Sequence, residues 1–511
     1  MQLSKEIISK INADIVEVPS QGYFDLPEKV LQFGTGVLLR GLPDYFIDKA
    51  NKHKKFNGRI VMIKSTDTGG SEAFDRQDCL YTLCVRGIED GKIVEKNIVN
   101  ASISRLISAK NDWQEVLKCA ANENMQVVIS NTTEVGLTLM KDNVHASPPE
   151  SFPGKLLSFL YERYKIFNGD PLKGLVIIPT ELIPQNADKL LSILLELANQ
   201  NELEMGFSDW LKNSNYFCNS LVDRIVPGKL NVKQQQEMEL KAGFQDELMI
   251  MSEAYRLWAI ESSNERVKEI LSFADADAKV FIGPDIAVFR ELKLRLLNGS
   301  HTFSCGLAHL AGFTTVKEAM SDQSFSEYIK DLMFVEIAHA ITEDNLTYDL
   351  ATDFAGKVLD RYSNPYIEHQ WLSITMQYTS KMYMRNVTTL KKYFERTKEI
   401  PVHMAIGFAG YLLFMRPVEI TGNKYYGEVN GQRYFINDDN ASYFYEMWQK
   451  YDINDLVNNV LGNKTLWRTD LSAITGFGEA VKNNLTLLLN QGARKTIKNS
   501  IQNKKISAND R

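Results

Sequence analysis

"VLQFGTGVLLRGLPDYFIDKA", Val30 to Ala50, decides how the first part of the chain is read. Val30, Leu31 and Phe33 form a short apolar run of the kind a buried strand shows. Gly34 and Gly36 follow, and then Leu38, Leu39, Leu42, Tyr45, Phe46 and Ile47 recur at helical spacing. Pro43 stands early in that pattern, where a missing N–H costs little. Downstream, "GRIVMIKSTD" supplies a second strand, Ile60 to Ile63. Strand, glycine turn, helix and strand make the βαβ unit that a dinucleotide fingerprint needs.

The fingerprint G-x-G-x-x-G is incomplete, because Leu39 occupies the third glycine position. The first glycine allows a tight turn and the second lets backbone approach a pyrophosphate. The third only lets the helix pack close to the strand. The turn is therefore either a phosphate cradle or an ordinary strand-helix connection. As a cradle it would present free N–H groups at a helix start, with Arg40 adding charge nearby. Asp67, slightly late after the second strand, would meet the ribose hydroxyls of NAD, whereas Lys64 would suit a 2′-phosphate.

Further apolar strands end in polar loops. Val127 to Ile129 runs into Asn131, Thr132, Thr133 and Glu134, and Leu175 to Ile178 runs into a loop with Glu181 and Asn186. Such loops lie at the carboxyl edge of a parallel sheet, where open α/β folds bind ligands. "CLYTLCVRG" and "GKIVEKNIV" read as strands around a turn at Glu89, Asp90 and Gly91. Beyond about residue 285 helical periodicity dominates, apart from a hairpin turned at Asn430-Gly431. The expected fold is α/β: a Rossmann-like dinucleotide-binding domain over residues 1–284, followed by a mostly α-helical substrate domain over residues 285–511.

Composition narrows the function. Among 511 residues, 44% are hydrophobic and 24% charged, normal for a globular chain too long for one core. A net charge of −6 argues against nucleic acid or a membrane surface as partner. The basic tail, with Arg494, Lys495, Lys498, Lys504 and Lys505, reads as a solvated helix end. Five cysteines without a C-x-x-C pair argue against structural zinc, a disulfide framework or any resident metal. The amino terminus lacks a signal-like apolar core. "VHMAIGFAGYLLFM", Val402 to Met415, is too short to span a bilayer and reads as a buried helix. A cytoplasmic location is expected, and nothing sets an oligomeric state.

In "ELKLRLLNGSHTFSCGLAHLAG", Lys293, Asn298 and His301 stand at i, i+5 and i+8. At about 100° per residue they fall at roughly 0°, 140° and 80°, one polar arc, with Arg295 pointing away from it. A lysine among apolar neighbours is partly desolvated and suits proton transfer with a carbinol oxygen. An adjacent asparagine amide can bond a developing oxyanion. Alternatively Lys293 and Arg295 are surface cations and His301 a structural histidine.

Together, G-x-G-x-x-x-R (Gly34, Gly36, Arg40) and K-x4-N-x2-H (Lys293, Asn298, His301) resemble the polyol-specific long-chain dehydrogenases, the mannitol dehydrogenase family. "SNTTEVG" (Ser130–Gly136), "PTELIPQNAD" (Pro179–Asp188), "NSLVDRIVPG" (Asn219–Gly228) and "RYSNPYIEHQ" (Arg361–Gln370) are similar to its members acting on keto-hexuronates. The resemblance covers about residues 25 to 490, and in this family the third glycine is dispensable. It implies an NAD-linked reaction between a keto-hexuronate and a hexonate in hexuronate catabolism. It makes Lys293 the general acid/base, brackets the reacting oxygen with Asn298 and Asn186, and has His301 orient a substrate hydroxyl. Asp223 would lie beside the nicotinamide, with Asn131, Thr132 and Glu134 along the cofactor cleft.

One position departs from the family's polyol oxidisers: Ser373 stands where an arginine precedes the lysine matched by Lys381. A hexuronate carries a carboxylate that a cation must meet. Lys381 is the first candidate, then Arg361 and Arg385, with His369 facing the same pocket. Rivals within the family are another keto-hexuronate, fructuronate, and the fructose–mannitol pair. A non-catalytic sugar-acid or nucleotide sensor is the rival from another class.

Overall fold

The computed structural model describes residues 1–65, 70–132 and 136–509, with side chains to residue 502. The chain forms two compact units. The first comprises Met1–Gly87 and Ile93–Ile286, and the second Ile88–Lys92 and Ala287–Arg511.

Six strands form the main sheet of the first unit: β1 (Glu28–Phe33), β2 (Arg59–Lys64), β3 (Ile103–Ser108), β4 (Val127–Ser130), β5 (Val176–Pro179) and β6 (Tyr216–Phe217). All neighbours are parallel and the order is 3-2-1-4-5-6. Strand order reverses between β1 and β4, the switch point where doubly wound sheets bind dinucleotides. Strands β2, β4 and β5 hold the apolar runs Ile60–Ile63, Val127–Ile129 and Val176–Ile178 because both faces are covered, whereas edge strand β3 carries Ser104 and Arg105. Val30, Ile60, Met62, Val127, Ile129, Val176 and Ile178 enter one core with Phe46, Ile47 and Ala50. The alternate residues, Leu31, Phe33, Val61, Ile63, Val128 and Ile177, enter another with Leu156, Leu160, Leu190 and Leu194. Tyr81–Glu89 and Lys92–Asn100 flank their expected turn, with Asp90 and Gly91 at positive φ, but belong to a separate sheet with Ile250–Glu253.

The helix read after the glycines is two helices, Val37–Gly41 and Pro43–Lys52. They break at Leu42, at φ −133° and ψ −76°. The following proline disfavours α geometry in the residue before it, so Pro43 starts a helix instead of continuing one.

In the second unit the apolar stretch forms the helix Val402–Phe414, buried nearly throughout. It packs against Ser300–Leu310 and Phe477–Gln491. Contact with Ser300–Leu310 is backbone-close: a Cβ added at Gly407 would come within 2.7 Å of the Phe303 carbonyl oxygen. That fit fixes the helix carrying His301. The hairpin at Asn430-Gly431 pairs Lys424–Val429 with Gln432–Phe435, both turn residues having positive φ. Among the described residues no helix is long and apolar enough to cross a membrane.

Candidate active site

At the end of β1, Gly34 adopts φ +127°, a conformation closed to most L-residues. A Cβ there would lie 2.9 Å from Leu39 Cδ1 and 3.1 Å from the Asn131 carbonyl oxygen. Leu39, the residue replacing the third glycine, thus packs onto the first. Gly36 differs: nothing lies within 4 Å of a Cβ built on it. Backbone at the switch point therefore faces open space, the condition for close approach of a pyrophosphate.

Arg40 turns inward. It is buried, its Nη1 donates to the Leu248 carbonyl at 2.9 Å, and its guanidinium lies over the rings of Phe74 and Tyr81. Its charge is aimed at Leu248, so the expectation of a phosphate-side cation is corrected: helical geometry in Val37–Gly41 carries this side chain to the core face.

The loops after β4 and β5 are tied together. Asn131 Nδ2 donates to both the carbonyl and the hydroxyl of Thr180, each at 3.0 Å. The Thr132 N–H donates to Glu181 Oε1 at 2.8 Å, and Ser130 Oγ reaches Glu181 Oε2 at 3.2 Å. Burial pushes the Glu181 carboxyl above the usual range. Thr133, Glu134 and Asp67 lie outside the described residues.

Asn186 requires a second correction. It is completely buried; Nδ2 faces the carbonyls of Pro179, Glu181 and Ser220 at 2.9–3.1 Å, and Oδ1 accepts the Ser220 N–H at 3.0 Å. Its donors are engaged by backbone, leaving none for a reacting oxygen. Asn186 instead joins the loop after β5 to the strand Ser220–Asp223, whose last residue, Asp223, is buried. Next to it, buried Arg224 donates to the Gly41 carbonyl at 2.7 Å and the Glu253 carbonyl at 3.0 Å. Burial lowers its pKa to about 10. Residues 130–132 and the segments "PTELIPQNAD" and "NSLVDRIVPG" are thus tied together by Glu181 and Asn186.

In the second unit, Lys293–Gly299 is a π-helix running into the α-helix Ser300–Leu310. This corrects the angular reading. With i→i+5 bonding, residue 298 sits over residue 293, not about 140° away as in an α-helix. Lys293 and Asn298 are both half-buried. Hydroxyls reach the carbonyls at its end: Tyr362 Oη donates to Leu297 at 2.9 Å and Thr302 Oγ1 to Asn298 at 2.8 Å. Arg295 is buried, so a surface role fails for it.

His301 is buried, and its Nε2 has no hydrogen-bond partner. Its ring stacks on Tyr362 at 4.2 Å and meets His369 edge-on at 5.2 Å. Burial pushes its pKa well below 6.5, and His369, Arg361, Arg385 and Lys381 push it further. His369 is lowered by burial, then by Arg361 and Lys381. Lys381 donates to the Ile374 carbonyl at 3.0 Å; its pKa is lowered by burial and next by Arg385. Of the four substrate candidates, His369 thus meets His301 directly, and Arg361, Lys381 and Arg385 act on its charge. Ser373 is exposed. His369 is held by its carbonyl, which accepts the Val316 N–H at 2.9 Å.

Sequence reasoning missed Tyr362 and Arg295. Tyr362 stood inside the quoted "RYSNPYIEHQ", beside Arg361, but only its tertiary contacts, the ring on His301 and the hydroxyl on Leu297, mark it. Arg295 lay two residues from Lys293, and helical angles directed attention away from it.

Residues 28–271 match the family model of the mannitol dehydrogenase Rossmann domain, and residues 285–489 that of the mannitol dehydrogenase C-terminal domain. The altronate oxidoreductase of Bacillus subtilis (strain 168) is 37% identical over 472 residues, covering 91% of this chain and 93% of that protein. A mannitol 2-dehydrogenase of Pseudomonas fluorescens, in ternary complex with NAD and D-mannitol, covers 98% of this chain and 100% of its own, with TM-score 0.66 and 22% identity. A D-sorbitol dehydrogenase in substrate-free form covers 97% and 100%, with TM-score 0.75 and 17% identity. These two likenesses concern the fold.

Proposed function

The chain belongs to the mannitol dehydrogenase family, and we propose that within it the protein interconverts tagaturonate and altronate as an NAD-linked oxidoreductase. The observation that carries the substrate class is the positive field that Arg361, Lys381 and Arg385 set at His301, whose ring meets that of His369 at 5.2 Å. A keto-hexuronate differs from fructose by a carboxylate, and partly buried cations favour an anion through charge-assisted hydrogen bonds. The 37% identity to a relative named altronate oxidoreductase supports the same substrate.

The first unit suits a dinucleotide in three respects: the strand order, the positive φ of Gly34 and the open space at Gly36. Gly34, Gly36, Asn131, Thr132 and Asp223 would hold it, with Asp67 and Glu134 completing the set read from sequence. NAD, when bound, carries the hydride. Lys293, as ammonium, protonates the carbonyl oxygen while its carbon is reduced; as neutral amine it removes the alcohol proton in the reverse direction. Asn298 donates a hydrogen bond to that oxygen as charge grows on it. His301, kept neutral, offers its unpartnered Nε2 to a substrate hydroxyl. Lys381, Arg361 and Arg385 take the carboxylate.

NADH oxidation assayed side by side with tagaturonate, fructuronate and fructose tests this reading. The highest kcat/KM is expected with tagaturonate. A preference for fructose would make the protein a polyol dehydrogenase, and tight NADH binding without turnover would make it a sensor. Substituting NADPH should lower kcat/KM.

A further inference from the structure

Three stretches of the second unit, Lys293–Gly299, Leu332–Ile337 and Tyr383–Val387, leave the α-helix for the wider π form. Widening changes which N–H each carbonyl meets and leaves some carbonyls needing other donors. In the third stretch such donors come directly from the first, and in the first they come from neighbouring hydroxyls, one of which the third stretch holds. Arg295, on the first, directs Nη1 to the carbonyls of Met384 at 3.0 Å and Arg385 at 2.9 Å. Its Nε is held by Glu291 at 3.0 Å. Arg385, on the third, directs its own Nη1 to Thr302 Oγ1 at 3.1 Å, and that hydroxyl donates to the Asn298 carbonyl at 2.8 Å. Arg295 thus grips the third stretch directly, and Arg385 reaches the first through the Thr302 hydroxyl. The contact is close: a Cβ added at Gly299 would lie 2.9 Å from Asn386 Oδ1.

One side of this clasp carries Lys293 and Asn298, and the other carries Arg385. We propose that Arg295 is a positioning residue that sets the span between the reacting oxygen and the carboxylate of the substrate. This inference rests on the keto-hexuronate reading above. A six-carbon keto acid bound at both ends puts its carbonyl before Lys293 only if that span matches its length. Arginine suits the task because its planar fork holds two backbone carbonyls and Glu291 at once. A lysine, with one compact ammonium group, cannot keep that set.

A four-member cycle of parent, Arg295→Lys, Arg385→Met and the double variant tests it, with kcat and KM measured on tagaturonate. Arg295→Lys should lower kcat roughly 10²-fold, the scale of a misplaced reactant, while the NADH dissociation constant stays unchanged. In the Arg385→Met background the same change should have little further effect, because the anchor carried on the other side of the clasp is already lost. Fully additive losses, or a kcat unchanged in Arg295→Lys, would overturn the clasp while leaving the function standing. A parent inactive on every keto-hexuronate would overturn both. Should Arg295→Lys fail to fold, Thr302→Val removes the other half of the clasp at constant shape. It should also lower kcat and be non-additive with Arg385→Met; additivity there overturns the inference equally.

Discussion

At the sheet edge of the first unit the features that suit a ligand are mostly backbone: a positive φ at Gly34, bare space at Gly36, loops tied by Asn131 and Glu181. In the second unit they are side chains on helices that have lost regularity, with Lys293 and Asn298 on one π stretch and Arg385 on another. A parallel sheet brings all its strand ends to one edge whatever the side chains are, so the missing side chain makes the site. A helix buried among helices has no such edge, and a widened turn is what stacks Asn298 over Lys293. Substitutions in the first unit should therefore act through cofactor and backbone, and those in the second through proton transfer and charge.

The largest effect that would break this division is at Lys293. Lys293→Ala should lower kcat by at least ~10²-fold, while NADH, followed by fluorescence titration, binds as before. A near-normal kcat removes the acid/base assignment; lost NADH binding removes the division. Lys381→Gln comes next. Losing one charge-assisted hydrogen bond should raise KM for tagaturonate by roughly 10- to 10²-fold with kcat little changed. An unchanged KM would move the carboxylate away from Lys381.

Two glycines sharpen the contrast inside the first unit. Gly36→Ala meets no neighbour and sits at an ordinary φ of −63°, so the melting temperature should hold while the NADH dissociation constant rises roughly tenfold. Gly34→Ala has a disfavoured φ and crowds Leu39 and Asn131, so it should cost about 1–3 kcal/mol of stability before cofactor is considered. Unimpaired NADH binding in Gly36→Ala would show that the open space serves something else.

What could be read from sequence differs between the units for the same reason. Alternating burial on both faces of a sheet yields apolar runs such as Val30–Phe33 and Ile60–Ile63, and periodicity finds those. The residue types at 293, 298 and 301 were visible, but their geometry was not, because a π turn has no spacing signature and the α-helical angle misplaced Asn298. Arg40 and Asn186 misled for a common cause. A polar side chain beside a glycine turn or a strand end looks like a ligand contact until burial and backbone partners are known, and both prove to hold loops and core together. The cations at 361, 381 and 385, read as separate options, converge only through tertiary packing.

The smallest effect is in pH, where the units should titrate in opposite senses. In the first, Asp44 is wholly buried and its pKa is raised from 3.8 to about 8. Between those values the folded chain keeps a proton that the unfolded chain releases, so this group's stabilisation is lost as pH rises. In the second, His301 is held well below 6.5 by burial first and then by its cationic neighbours. Below about 6.5 the unfolded chain takes a proton that folded His301 refuses, so stability there falls as pH falls. Each group alone contributes a slope of at most about 1.4 kcal/mol per pH unit. Unfolding free energies from urea titrations at about pH 5.5 and about pH 7.5 separate the two. Relative to parent, His301→Gln should be more stabilised at the lower pH than at the higher, and Asp44→Asn the reverse. Altronate adds a check, since a carboxylate among these cations raises the His301 pKa and should bind more tightly as pH falls through the range, below 6.5, where folded His301 titrates. If both variants shift the pH curve in the same sense, the electrostatic half of the contrast between the units fails.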